Sequence, residues 1–80
     1  MRDFDYLAAA ELYAAERRGG LKYRRFPRAS EAIRYAIENL TANQLIGSRL
    51  EVEGQHYDGR QIRELYESDR YPLRRNIGSS

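Results

Sequence analysis

The chain has no cysteine and no tryptophan, and only one lysine, one histidine and two prolines among its 80 residues. Without cysteine there is no disulfide, no thiolate nucleophile and no thiolate-held zinc or iron–sulfur centre. A single histidine without cysteine is a poor start for a transition-metal site. No stretch approaches the ~18 consecutive apolar residues of a membrane helix. Large aliphatics are also scarce: Leu, Ile, Val and Phe together make 16 of 80 residues. That share lies at the ~20% line below which strongly charged chains stay disordered. Here the net charge is only +2, and seven tyrosines add apolar bulk with a polar tip. The expectation is a folded domain with a thin core.

The length suits one domain, read as residues 1–75 followed by a flexible tail, 76–80. The opening Met1-Arg2-Asp3-Phe4-Asp5 carries two early acids and no apolar run. That is not a secretory signal, so the expected location is the cytoplasm.

Local patterns then divide the chain. Residues 5–18 are alanine-rich, and alanine is the strongest helix former, so a first helix is expected there, capped by Asp3 or Asp5 and stopped at Gly19-Gly20. Residues 21–26 alternate roughly and stop at Pro27, which predicts an edge strand. Ala29, Ala32, Ile33, Ala36, Ile37 and Leu40 recur at helical period and define one apolar face. Thr41 and Gln44 have capping-box spacing, which predicts a further helical turn ended by Gly47. Leu50 and Val52 alternate with charged residues as in a half-buried strand, Gly54-Gln55 reads as a glycine-first hairpin turn, and His56 and Tyr57 form a short return arm. Asp58 and Gln61 make a second capping box, with Tyr57 and Ile62 spaced as a hydrophobic staple ahead of Leu65 and Tyr66. The expected class is α+β: three helices packed on a small two- or three-stranded sheet, in the order α-β-α-β-(β)-α. The two main strands are free to pair in parallel across the second helix, or the sheet to be antiparallel through a hairpin over 50–57. No internal repeat is visible.

The basic residues are thirteen arginines against one lysine. That usage suits planar recognition of phosphate or carboxylate, and equally a GC-rich coding sequence. Their placement is more informative. Arg17, Arg18, Lys22, Arg24, Arg25 and Arg28 put six cations into twelve residues, with no acid between Glu16 and Glu31. Against a total of +2, the rest of the chain carries −4. Tyr23 and Phe26 are interleaved with these cations. Such a segment could stack on bases while contacting phosphates, or could be a solvated edge that resists strand pairing.

Other candidates carry less. His56-Tyr57-Asp58 invites a catalytic or metal reading, but Asp58 is better used as a helix cap. Glu51 and Glu53 could act as acid and base only inside a pocket. Tyr71-Pro72-Leu73-Arg74-Arg75 reads as a docking segment or as a strap over the core.

Two resemblances attach to these residues. The strand, Pro27 and the amphipathic helix after it resemble the opening of ribbon-helix-helix repressors, which read DNA with a paired strand. Gly47, the alternation over 50–53 and Gly54 interrupt the place of that family's second long helix. Tyr23-Arg24-Arg25-Phe26, Glu31-Ala32-Ile33-Arg34-Tyr35-Ala36-Ile37-Glu38, Leu50-Glu51-Val52 and Ile62-Arg63-Glu64-Leu65-Tyr66 together resemble small alphaproteobacterial proteins of unknown function. That resemblance implies a bacterial cytoplasmic origin and transfers no residue role.

The expectation is therefore a small non-enzymatic module for protein interaction or an accessory role, a homodimer being one form of it. The alternative is a nucleic-acid-binding module. Either would use Arg17, Arg18, Lys22, Tyr23, Arg24, Arg25 and Arg28. No cofactor, metal, membrane or small-molecule substrate is expected.

Overall fold

A computed structural model describes residues 4–73, and the expected tail, 76–80, lies outside the described residues. The elements are β1 (Ala10–Ala15), β2 (Leu21–Phe26), α1 (Ala29–Asn39), α2 (Ala42–Ile46), β3 (Arg49–Val52), β4 (Gln55–Asp58) and α3 (Gly59–Glu67). The four strands form one antiparallel sheet in the order β2-β1-β3-β4. The α+β class holds, but the expected order and strand number do not. The residues expected to form a first helix supply a central strand instead, and β1 separates the two strands expected to pair.

The reason lies in the alternation of β1. Ala10, Leu12 and Ala14 are buried, while Glu11, Tyr13 and Ala15 are half-buried on the other face. Alanine's preference for helix amounts to only ~0.5 kcal/mol per residue over most others, and a strand hydrogen-bonded on both sides overrides it. Small residues are also what this strand needs, because α1 presents buried Ala29, Ala32 and Ala36 of its own. Gly19-Gly20, expected to stop a helix, closes the β1–β2 hairpin. Gly19 N–H donates to the Glu16 carbonyl at 3.1 Å and Glu16 N–H to the Gly20 carbonyl at 3.0 Å, with both glycines at positive φ.

The β3–β4 hairpin also departs by one residue from the expected turn. Val52 pairs with Gln55, so Glu53-Gly54 is the two-residue loop, with φ of 53° and 80°. Positive φ at both central residues is the type I′ geometry that matches strand twist.

Leu12, Leu50 and Val52 on one face of the sheet pack against Ile33, Ile62 and Tyr66 from the helices. The segments before β1 and after α3 tie this layer down. Ala29 N–H and Ser30 N–H, unpaired within α1, donate to the carbonyls of Ala8 (2.6 Å) and Tyr6 (2.9 Å). The Tyr6 hydroxyl donates to the Leu65 carbonyl (2.8 Å) and the Tyr71 hydroxyl to the Ser30 carbonyl (2.9 Å). Tyr71 is therefore a strap over the core. At the far end of β1, Ser48 Oγ accepts from Ala15 N–H at 2.9 Å while Gln44 Nε2 donates to the Ala15 carbonyl at 3.0 Å.

The topology repeats where the sequence does not. β1-β2-α1 and β3-β4-α3 are two ββα units joined through the antiparallel β1–β3 pair, with α2 bridging them. Among the described residues, no helix is long and apolar enough to cross a membrane.

Candidate interaction edge

β2 lies at one edge of the sheet, and five of its six residues are exposed. Strand pairing sorts its side chains. Lys22, Arg24 and Phe26 sit opposite Ala14, Leu12 and Ala10 of β1, whose side chains are buried under the helices. Leu21, Tyr23 and Arg25 sit opposite Ala15, Tyr13 and Glu11 on the other face, which no helix covers among the described residues. Arg17 and Arg18 occupy the hairpin tip before β2, and Arg28 lies just past its end as the first flanking residue of α1.

All six cations are exposed, and among the described residues none has a carboxylate within 4.0 Å. They do not form one flat patch. Lys22 and Arg24 project to the helix side, Arg25 to the open side, and the other three to the two ends. What all of them share is the β2 edge, ~20 Å long at the usual rise per residue.

Of the two helix-side cations of β2, Arg24 is braced by aromatics. The Arg24 guanidinium carbon lies 4.5 Å from the Tyr35 ring centroid and 6.0 Å from that of Phe26. These rings are themselves 5.7 Å apart. Arg24 thus stands over α1 with its guanidinium on the Tyr35 ring while the residue stays exposed.

The open face carries a different set. Tyr23 and Tyr13 rings lie 5.4 Å apart, and Arg49 from β3 stands 5.0 Å over Tyr13. The Tyr23 hydroxyl donates to Glu11 Oε2 at 3.0 Å, and that bond, ahead of burial, raises the Tyr23 pKa. The Tyr13 pKa is raised by burial first and then by the charges of Glu11 and Glu51, against the opposing pull of Arg49. Glu11, Arg25, Glu51, Glu53 and Gly54 line a shallow depression of about 230 Å³ at one end of this face. Among the described residues, no group of three or more His, Cys, Asp or Glu is arranged to hold a metal.

The remaining sequence candidates separate. His56 sits exposed on β4, paired with Glu51, and Asp58 caps α3 by accepting from Gln61 N–H at 2.9 Å. Sequence reasoning missed Tyr13, Glu11 and Arg49 as members of the open face. The signal for the first two was the two-residue alternation over 10–15, hidden by its alanines. No family model, no curated protein and no solved structure matches the chain.

Proposed function

We propose that the protein is a non-enzymatic interaction module that captures an extended, acidic segment of a partner protein along the free edge of β2. One observation carries this reading: a six-residue edge strand, five residues of it exposed, whose cations project to both faces of the sheet and have no carboxylate within 4.0 Å among the described residues. A strand added in the plane of the sheet meets both faces at once, because its own side chains alternate above and below. Its main chain also satisfies the row of N–H and C=O groups that an edge leaves open.

Charge argues for a different protein as the partner, not for a second copy paired edge to edge. Two β2 strands side by side would oppose rows of Lys and Arg, and like charges opposite one another are destabilising. A nucleic acid fits this geometry less well, since Tyr23, the residue suited to base stacking, is bonded to the Glu11 carboxylate.

The test is titration of the full chain with a labelled acidic peptide of extended conformation, and separately with a random-sequence DNA duplex, at low salt. The expected result is saturable peptide binding, lost in the Arg24→Glu, Arg25→Glu double variant, with slowed amide exchange over Leu21–Phe26. Binding of the duplex alone, weakening steeply with salt, would overturn the reading.

A further inference from the structure

We infer, resting on that reading, that the segment recognised at β2 is one in which acidic and apolar residues alternate. The acids meet Lys22 and Arg24 on the helix side, and the apolar side chains cover Leu21 and Tyr23 on the open side.

The two faces of β2 ask for different chemistry. On the helix side, Lys22 and Arg24 stand two residues apart, and Arg24 is braced on Tyr35. A strand beside β2 places successive same-face residues at the same two-residue spacing, so carboxylates at alternate positions meet these two cations in turn. On the open side, Leu21 and Tyr23 are 54% and 52% exposed. They are the two large apolar side chains that β2 leaves most open, and they stand opposite half-buried Ala15 and Tyr13. A fifth strand with apolar residues on this face extends that ledge and removes it from water. The cation of this face, Arg25, already stands opposite Glu11 and lines the shallow depression with Glu11 and Glu51, so its charge is matched within the sheet.

The pattern sets the register of the added strand. A slip by one residue exchanges the two faces, moving carboxylates onto Leu21 and Tyr23 and apolar groups onto Lys22 and Arg24. An alternating segment can slide back into phase. A segment with its acids in one block and its apolar residues in another cannot match both faces in any register.

The experiment compares two labelled peptides of identical composition, Glu and Val alternating or Glu and Val in separate blocks, each flanked by Gly and Ser. Both are titrated against the full chain by fluorescence anisotropy, with amide exchange followed over Leu21–Phe26. The alternating peptide is expected to bind about ten-fold tighter, as four matched cross-strand pairs imply. Leu21→Ser with Tyr23→Ser, both exposed positions, is expected to narrow that ratio, and Lys22→Glu to weaken the alternating peptide. Equal affinities with slowed exchange over β2 would overturn the alternation while leaving strand capture standing. Binding by neither peptide, or binding without any slowing over β2, would overturn both.

Discussion

The two ββα units share a topology and differ in nearly every device that finishes it. In β3-β4-α3 the strands are four residues long, the loop has two residues, and the helix starts at once under the Asp58–Gln61 capping box. In β1-β2-α1 the strands are six residues long, the loop has five, and α1 has no side-chain cap. Its first N–H groups instead go to carbonyls of residues before β1. Charge divides the same way. Residues 10–39 hold seven cations and four acids, and residues 49–67 hold three cations and five acids, so the units carry +3 and −2. One unit is closed by local contacts within itself. The other leaves a long, charged edge and relies on distant chain for its finish. This division suits a scaffold half that fixes the sheet and an edge half that offers it to a partner.

The sharpest way to break the comparison is at the first helical residue of each unit, Ala29 and Gly59, both buried. A Cβ on Gly59 would fall on the Leu45 carbonyl, a backbone atom that cannot rotate aside. Gly59→Ala is therefore expected to cost about 3 kcal/mol, the upper end for overpacking. At the matching position the Cβ is already accommodated, and Ala29→Gly should cost about 1 kcal/mol. Urea unfolding followed by circular dichroism reads both. A neutral Gly59→Ala would show that the α2–α3 approach is not fixed by that glycine.

Capping separates the units by a smaller amount. Asp58 accepts from Gln61 N–H, and Gln61 Oε1 accepts from Asp58 N–H, each at 2.9 Å. Losing this reciprocal pair in Asp58→Ala should cost about 1 kcal/mol. Arg28 holds the equivalent place before α1 and makes no side-chain cap, so Arg28→Ala should change stability by less than about 0.5 kcal/mol. If Arg28→Ala destabilises as much as Asp58→Ala, the first unit is not capped by the chain before β1.

The closed unit was the legible one. Asp58 and Gln61 and the alternation of Leu50 and Val52 are signals contained within a few residues, as are Thr41 and Gln44 at the bridging α2, and each forms as the sequence predicts. α1 was legible as well, because its apolar face keeps helical period over eleven residues. β1 was not. Its alanines satisfy a helix and a buried strand equally, and what decides between them is pairing with β2 on one side and β3 on the other, which no local window contains. Gly19-Gly20 was ambiguous for a related reason: positive φ ends a helix and turns a hairpin alike. The candidate edge was half legible. The density of cations over 17–28, the edge position and the exposure could be read. The two-residue period alone puts Phe26 and Tyr23 on opposite faces, but which face lies under the helices is fixed only by pairing with β1.

A hydrogen bond of modest worth tests what joins the units. Tyr71 belongs to neither. Its hydroxyl donates to the Ser30 carbonyl of α1, and its ring lies 5.0 Å from Tyr66 of α3 and 5.7 Å from Tyr6. Tyr71→Phe keeps the rings and removes the hydrogen bond, so at neutral pH it should cost only about 0.5–1 kcal/mol. The difference appears at high pH. Burial, above all, raises the Tyr71 pKa, with nearby Arg34 opposing, so the folded chain keeps this proton where the unfolded chain gives it up. A group whose folded pKa is raised contributes stability that is present below its unfolded value, about 10 for tyrosine, and lost as pH climbs through the folded one. Tyr13 and Tyr23 shift in the same direction on the open face. The thermal midpoint of the native chain should therefore fall as pH rises above about 10, and Tyr71→Phe should fall less steeply without becoming flat. Parallel slopes for the two chains would mean that this phenol titrates as freely in the fold as out of it, and that the strap does not hold α1 to α3.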